Sequence, residues 1–549
     1  MKCLLPAMLL AFVTLPAIAQ QPDAARIADT VQVLSSDFFE GRAPGTPGEE
    51  RTVGYLIGRF QSLGLAPGGK DGSWLQAAPL LHTRLGEPKT LAVTIGGIAQ
   101  PWQRGKQVYL STIRPDDRAL IDRAPLVFVG YGVSAPERQW DDFKGVDLKG
   151  KVAVILVNDP DFEATKDEPV SGRFGGKTMT YYGRWTYKYE EASRRGAIGA
   201  LIVHDTPGAG YGWNVVTSPQ GENYDIVRAP DRLTCLALQG WITGETAVKL
   251  FADAGQDFAA QRKAARRADF HPLLLKGATF SADIPVVHEV VESHNVLAKI
   301  AGSERPDEVV FYGAHWDAYG KGPPDAHGNT IRRGANDDGI GVAGLLEIAR
   351  LFKALSPPKR SVVFGVWTAE ERGLLGSEAY ALDPVYPMDK TVANLTIDIL
   401  QTAGKARDVI LVGAGQDTLE DDLARAARAQ GRVVTAESLP ERGLFYRADH
   451  FSFAKHGVPV LLLMGIAGAS DLVDGGRAAG QKWVDDYTGQ CYHQPCDAYG
   501  PQWSLDGVVE DIGLMAAIGH ELADSSRWPE WKAGSEFKAL REKTAAARH

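Results

Sequence analysis

Cysteine is scarce, with 4 residues in 549, at positions 3, 235, 491 and 496. No Cys-rich metal motif is present, which excludes a structural zinc module of the thiolate type. An excess of positive charge is also missing. Lys plus Arg number 59 against 68 Asp plus Glu, for a net charge of −9, which argues against a mainly electrostatic nucleic-acid binder. After the first twenty residues no apolar run is long enough to cross a bilayer. Neither an internal repeat nor a low-complexity tract interrupts the chain. What remains is an ordinary globular composition, 44% hydrophobic and 23% charged, at a length that suggests two or three domains.

Met1 to Ala19 reads MKCLLPAMLLAFVTLPAIA, a lysine, an apolar stretch and an A-x-A site. This is the pattern of a secretory signal peptide cleaved before Gln20, and it predicts an exported, periplasmic or secreted, protein. A membrane anchor is the alternative, disfavoured by Pro6 and Pro16 and by the short apolar length. Removal of the signal leaves Cys235, Cys491 and Cys496, an odd number that allows one disulfide and one free thiol. Cys491 and Cys496 are nearest in sequence and would close a small loop around His493. A Cys235 bridge to either partner and three plain thiols are the other readings.

Helical patterns surround the Gly/Pro loop GRAPGTPGEE, and short strands and loops follow over 73–115. From about 120 the stretches PLVFVGYGV, VAVILVN, YKYEEASRRGA and IGALIVH suggest a separate α/β module, placed at 120–282. From 283 onward strand, loop and helix alternate regularly, as in an α/β sheet flanked by helices. VVFYGAHWD, RSVVFGVWTAEE, TVANLTID, VILVGAG and VPVLLLMGI are its strands, and GVAGLLEIARLFKAL is an amphipathic helix.

Potential metal ligands stand where these strands end: His315 and Asp317, then Asp337 and Asp338, Glu370 and Glu371, Asp398, and finally His493 in CYHQPCD. The carboxyl ends of strands are where open α/β sheets build sites. Each acid alone is more often a helix cap or a solvated loop charge, and only their conjunction points to metal. Two imidazoles with several carboxylates suit a catalytic zinc site of mixed N/O ligands, and a shared carboxylate suits a two-metal hydrolase.

The motifs HWD, GANDDGIG, AEERGLLGSE, ID and YHQPCD, in this order, resemble the co-catalytic di-zinc aminopeptidase family. That family includes bacterial leucyl aminopeptidases, glutamate carboxypeptidase II and the transferrin receptor. The resemblance implies a zinc-exopeptidase fold, a mixed sheet flanked by helices, over 283–549. Residues 120–282 resemble an inserted protease-associated α/β domain through VFVGYGV, DFKGVDLKGKVAVILVNDP and EEASRRGAIGALIV. Residues 20–119 resemble the N-terminal segment that packs on the catalytic domain.

By this resemblance Asp337 bridges two Zn2+ ions. His315 and Asp398 complete one site, and Glu371 and His493 the other. Glu370 is the general base acting on a zinc-bridging hydroxide, and Asp317 accepts the free ring N–H of His315. Tyr492 resembles the tyrosine that steadies the oxyanion in some members; a packed aromatic is the alternative. The implied substrates are peptides with a free N-terminus, with no nucleic acid and no membrane span.

Departures from the family pattern are Gly339-Ile340, where many members carry a small residue and Ser, and Ala448 in place of Ser in RADHFSF. Asp449 reads as a helix N-cap, with a pocket-wall role for His450 as the sharper alternative. Tyr181, Tyr182, Trp185 and Trp213 read as packed, or as lining a cleft. His82, His204, His288, His327 and His456 have no partner pattern.

Competing functions are a carboxypeptidase or dipeptidase, for which Arg332, Arg333 and Arg447 are available cations, then a single-zinc glutaminyl cyclase, then a non-catalytic binding protein. The complete second ligand pair, His315 and Asp398, argues against the cyclase. The full ligand set with its base argues against a non-enzyme.

Overall fold

The apolar runs at 360–367 and 391–397 are buried along their whole length, which fits strands covered on both faces. They lie at the centre of the first of two large sheets. A computed structural model of the protein describes residues 21–548. The signal-peptide reading at 1–19, with Cys3, lies outside the described residues.

The first sheet runs in the order Ala66–Pro67, His294–Ile300, Arg360–Trp367, Arg305–His315, Thr391–Ile397, Val460–Leu463, with Leu75–Ala77 also paired to His294–Ile300. Arg305–His315 is parallel to both of its neighbours, and Thr391–Ile397 is parallel to Val460–Leu463. His294–Ile300 pairs antiparallel, so the sheet is mixed, as expected. On one face the helices Ala24–Leu34, Ile340–Lys353 and Asp506–Asp524 share a core with the strands. On the other, Trp367, Phe311, Tyr380 and Phe453 pack ring against ring. VILVGAG does not join this sheet. Asp408–Leu411 pairs only with Val433–Ala436, in a small parallel pair of its own.

The second sheet has ten strands around the long strand Leu273–Val291. A parallel run of Arg118–Phe128, Val152–Leu156, Gly199–His204 and Leu238–Thr243 forms one part of it. Leu80–Leu85, Thr90–Ile95, Ile98–Pro101 and Val108–Ser111 also belong to this sheet. The segment 20–119 therefore divides. Its helices Ala24–Leu34 and Pro47–Ser62 bury apolar faces on the first sheet, while its later strands satisfy their main chains in the second. The strand Leu273–Val291 runs on into His294–Ile300 and so joins the two bodies.

Cys491 and Cys496 form a disulfide, and Cys235 is free and exposed. Among the described residues no helix is long and apolar enough to cross a membrane.

Candidate metal centre

Three parallel neighbours of the first sheet end at one edge, and their ends deliver the site. His315 closes the strand Arg305–His315, Glu370 and Glu371 follow Arg360–Trp367, and Asp398 follows Thr391–Ile397. Asp337 comes from the loop before the helix Ile340–Lys353, and the Asp337–Asp338 peptide is cis. His493 reaches in from outside the sheet, on the loop between Cys491 and Cys496. Ala369 and Ile399, beside these carboxylates, and His493 itself have positive φ (50°, 57° and 62°). Such positions cost about 1–3 kcal/mol each and persist where the surroundings over-determine them.

The side chains converge as two groups that share Asp337: His315, Asp337 and Asp398, and Asp337, Glu371 and His493. Asp337 Oδ1 lies 3.2 Å from His315 Nε2, and Asp337 Oδ2 lies 3.2 Å from His493 Nε2. His493 Nε2 is also 3.2 Å from Glu371 Oε2, and His315 Nε2 is 3.8 Å from Asp398 Oδ1. A tetrahedral zinc with bonds near 2.0–2.1 Å spaces its ligand atoms about 3.3 Å apart. The three spacings of 3.2 Å match that edge length, and the His315–Asp398 spacing of 3.8 Å is somewhat longer. Asp337 Oδ2, Asp398 Oδ1 and His493 Nε2 are buried and make no hydrogen bond. Unsatisfied buried polar atoms of this kind are costly unless a ligand completes them. Spacing and donor chemistry therefore both fit a pair of divalent cations.

The charge balance argues the same way. Asp317, Asp337, Asp338, Asp398 and Asp449 are all buried. The side chains of Glu370 and Glu371 are only 10% and 5% exposed. Burial, and then mutual repulsion, pushes Glu370, Glu371, Asp338 and Asp398 above the usual carboxylate range. Burial also opposes the charge of Asp337, yet His315 and His493 hold it well below that range. Two imidazoles are too few to balance this set, and buried charge in excess requires compensation.

The supports are made largely of main-chain hydrogen bonds. Asp338 accepts the N–H of His315 at 3.1 Å and of Gly341 at 2.9 Å. Asp497 accepts those of Asn336 and Asp337 at 2.9 and 3.1 Å. Arg42, fully buried, donates to the carbonyls of Trp316, Leu34, Arg333 and Gly334 at 2.6–2.9 Å. Asp317 differs in detail from its expected role. His315 Nδ1 faces the Asp317 main-chain carbonyl at 3.1 Å, and its carboxylate Oδ1 is farther, at 3.5 Å. That Oδ1 accepts the N–H of Glu370 at 3.0 Å, so Asp317 holds both the ligand and the candidate base.

Tyr492 packs against the ligand at a tilt of 34°, its ring centroid 3.6 Å from that of His493, and Tyr319 lies 4.5 Å from the same ring. Burial pushes the Tyr492 phenol well up, Arg447 opposes this, and Asp337, Glu371 and Glu370 add to it. Asp449 does not cap the following helix. Its side chain makes no cap hydrogen bond, it is buried, and its Oδ1 has no hydrogen-bond partner. His450 is no pocket wall. It is fully buried against Phe445, 5.1 Å between ring centroids. Tyr181 and Tyr182 pack with Tyr187 and Phe451. Asp338, counted by the sequence among the potential metal ligands, falls in neither ligand group and serves the main chain instead, and sequence reasoning gave no role to Asp497 or Arg42, since a side chain that serves the main chain leaves no spacing to recognise.

Residues 295–516 match the model of Peptidase family M28. Among curated proteins, Aminopeptidase Y of Saccharomyces cerevisiae is 27% identical over 248 residues, 43% of this chain and 40% of its own. Aminopeptidase NAALADL1 of Mus musculus is 37% identical over 117 residues, 20% of this chain and 14% of its own. An aminopeptidase of Pseudomonas aeruginosa is 29% identical over 229 residues, 39% and 38% of the two chains. The matched stretches thus span less than half of each of these relatives. Among solved structures, the aminopeptidase from Aneurinibacillus sp. strain AM-1 aligns over 94% of this chain and 96% of its own. Its TM-score is 0.48 at 21% identity.

Proposed function

From the match of residues 295–516 to the model of Peptidase family M28, we propose that the chain is an exported zinc aminopeptidase with two metal ions. The observation that carries this reading is the sharing of Asp337 between two ligand groups. Export rests on the Met1 to Ala19 pattern. The motifs of 120–282 support an inserted protease-associated domain.

His315, Asp337 and Asp398 would hold one ion, and Asp337, Glu371 and His493 the other. When bound, such a pair supplies Lewis acidity and lowers the pKa of a coordinated water. The rest of the chemistry belongs to the chain. Glu370, with Oε2 at 3.8 Å from His315 Nε2, takes up the proton of the attacking water and returns it to the leaving amine. Asp317 fixes Glu370 by its main-chain N–H. The Tyr492 hydroxyl donates to the carbonyl oxygen as negative charge develops there. Unbalanced carboxylates favour the α-ammonium of a free N-terminus over a blocked one.

The test is hydrolysis of Leu-p-nitroanilide and its N-acetyl derivative by the zinc-loaded mature chain. The expected result is chelator-sensitive cleavage that acetylation lowers at least about 100-fold, as loss of a buried charge pairing implies. Equal cleavage of both would contradict the reading.

A further inference from the structure

His493 differs from the other histidine ligand in how its ring is held. Metal-bound histidines ordinarily donate their second ring N–H to a fixed partner, which sets the orientation of the ring. His315 turns its Nδ1 to the Asp317 carbonyl at 3.1 Å. The Nδ1 of His493 makes no hydrogen bond among the described residues, and its side chain is 26% exposed. Aromatic rings hold it instead, Tyr492 at 3.6 Å and Tyr319 at 4.5 Å between centroids.

The contacts do not end at Tyr319. The guanidinium carbon of Arg372 lies 5.0 Å from the Tyr319 ring centroid and 5.0 Å from that of Tyr224. Tyr224 belongs to the second sheet, on the strand Glu222–Ile226. It stacks on its cross-strand partner His82 at 4.4 Å, with the ring planes 9° apart. His82, for which the sequence offered no partner, is fixed in turn. Its Nε2 is 2.7 Å from Glu222 and its Nδ1 3.0 Å from Glu289. A run of planar groups thus leads from the second sheet to the ligand: His82, Tyr224, Arg372, Tyr319, His493. Its flank is packed. Leu80 and Ile226 of the second sheet share a small buried core with Ala369 and Leu375, which bracket Arg372 in the chain, and Arg228 pairs with Glu378 at 2.8 Å.

Among the described residues Arg372 makes no ion pair, and its guanidinium makes no hydrogen bond. Two aromatic faces hold this cation in place of an anion, through the attraction of their quadrupoles. We propose that Arg372 is a positioning residue for the metal centre: bridging Tyr224 and Tyr319, it steadies the His493 ring against the second sheet. The second body then takes part in holding the ion between Asp337, Glu371 and His493. This rests on the two-metal reading above.

The test is competition with a chelating dye for the two zincs. Arg372→Met keeps the stem and loses the cation. It is expected to weaken one zinc about tenfold, the lower end of what lost ligand support costs. Because Arg372 adjoins Glu371, Tyr224→Leu repeats the test from the other body and should weaken that zinc as much. Tyr224→Phe keeps a ring face for the guanidinium and should stay within about threefold of the wild type. The double variant Arg372→Met, Tyr224→Leu should lose no more than either alone, since both break one run of contacts. Unchanged affinity for both zincs in Arg372→Met or in Tyr224→Leu overturns the proposal, even where Tm falls. Losses that multiply in the double variant overturn it as well. A wild type that binds fewer than two zincs fails the two-metal reading, and the His493 ring then decides. Its C–H signals, in the metal-free chain with labelled histidine and assigned through His493→Gln, should move in Arg372→Met and in Tyr224→Leu and hold their place in Tyr224→Phe. Signals that hold their place in either of the first two overturn the proposal.

Discussion

Glu370 sits beside the shared ligands yet belongs to neither ligand group, and its main chain is fixed by Asp317. A group so placed carries protons without holding metal. Glu370→Gln is expected to keep the wild-type metal content and to lose at least about 100-fold in kcat, both checked on one preparation. His450 affords a pH prediction away from the ligands. Burial lowers its imidazole from the usual 6.5 to about 3, so it is neutral in the fold. The unfolded chain then takes up the proton first, and stability is complete above pH 6.5 and falls as pH drops below it. By pH 5 this one residue costs about 2 kcal/mol, and His450→Phe should flatten the acid limb of denaturant midpoints against pH by that amount. At this scale the ligand types were legible because each stands at a strand end. The roles of Asp338 and Asp497 were not legible, because they bind backbone N–H groups that no side-chain pattern reports.

At the scale of elements, the site loops are held from two sides. Arg42 ties the N-terminal segment to the strand end at Trp316 and the loop at Gly334, and Arg42→Met would take a donor from four carbonyls, of which Gly334's alone keeps another partner among the described residues, the Gly339 N–H. A loss of at least about 3 kcal/mol in urea unfolding is expected, since buried unpaired groups cost about 1–3 kcal/mol each. The Cys491–Cys496 disulfide closes the loop that carries His493. The double replacement Cys491→Ser, Cys496→Ser should weaken zinc retention about tenfold, measured by transfer to a chelating dye, the lower end of what lost ligand support costs. The helices and strands bearing the ligands were legible from periodicity. The strand Asp408–Leu411 was legible as a strand, but its place was not, because an apolar run does not say which edge it pairs with.

At the scale of the whole molecule, the long strand Leu273–Val291 serves the second sheet and then leads straight into the first. The division of 20–119 between sheets was not legible for a related reason. Leu80–Leu85 alternates as an ordinary half-buried strand, and its partners lie about 140 and 200 residues away along the chain. The metal centre draws ligands from three strand ends, a pre-helix loop and the disulfide loop, so metal binding and folding of the first-sheet body are linked. Zinc at a thousandfold above its dissociation constant should stabilise the chain by about 4 kcal/mol per site, seen as a chelator-reversible rise in Tm. The most direct test of the account is zinc per chain, by plasma mass spectrometry after equilibration and gel filtration, for the wild type and for Asp337→Asn. Two zincs are predicted for the wild type and fewer than one for Asp337→Asn, because both ions depend on that carboxylate. One zinc or none in the wild type, or two retained in Asp337→Asn, would contradict a centre built on a shared Asp337.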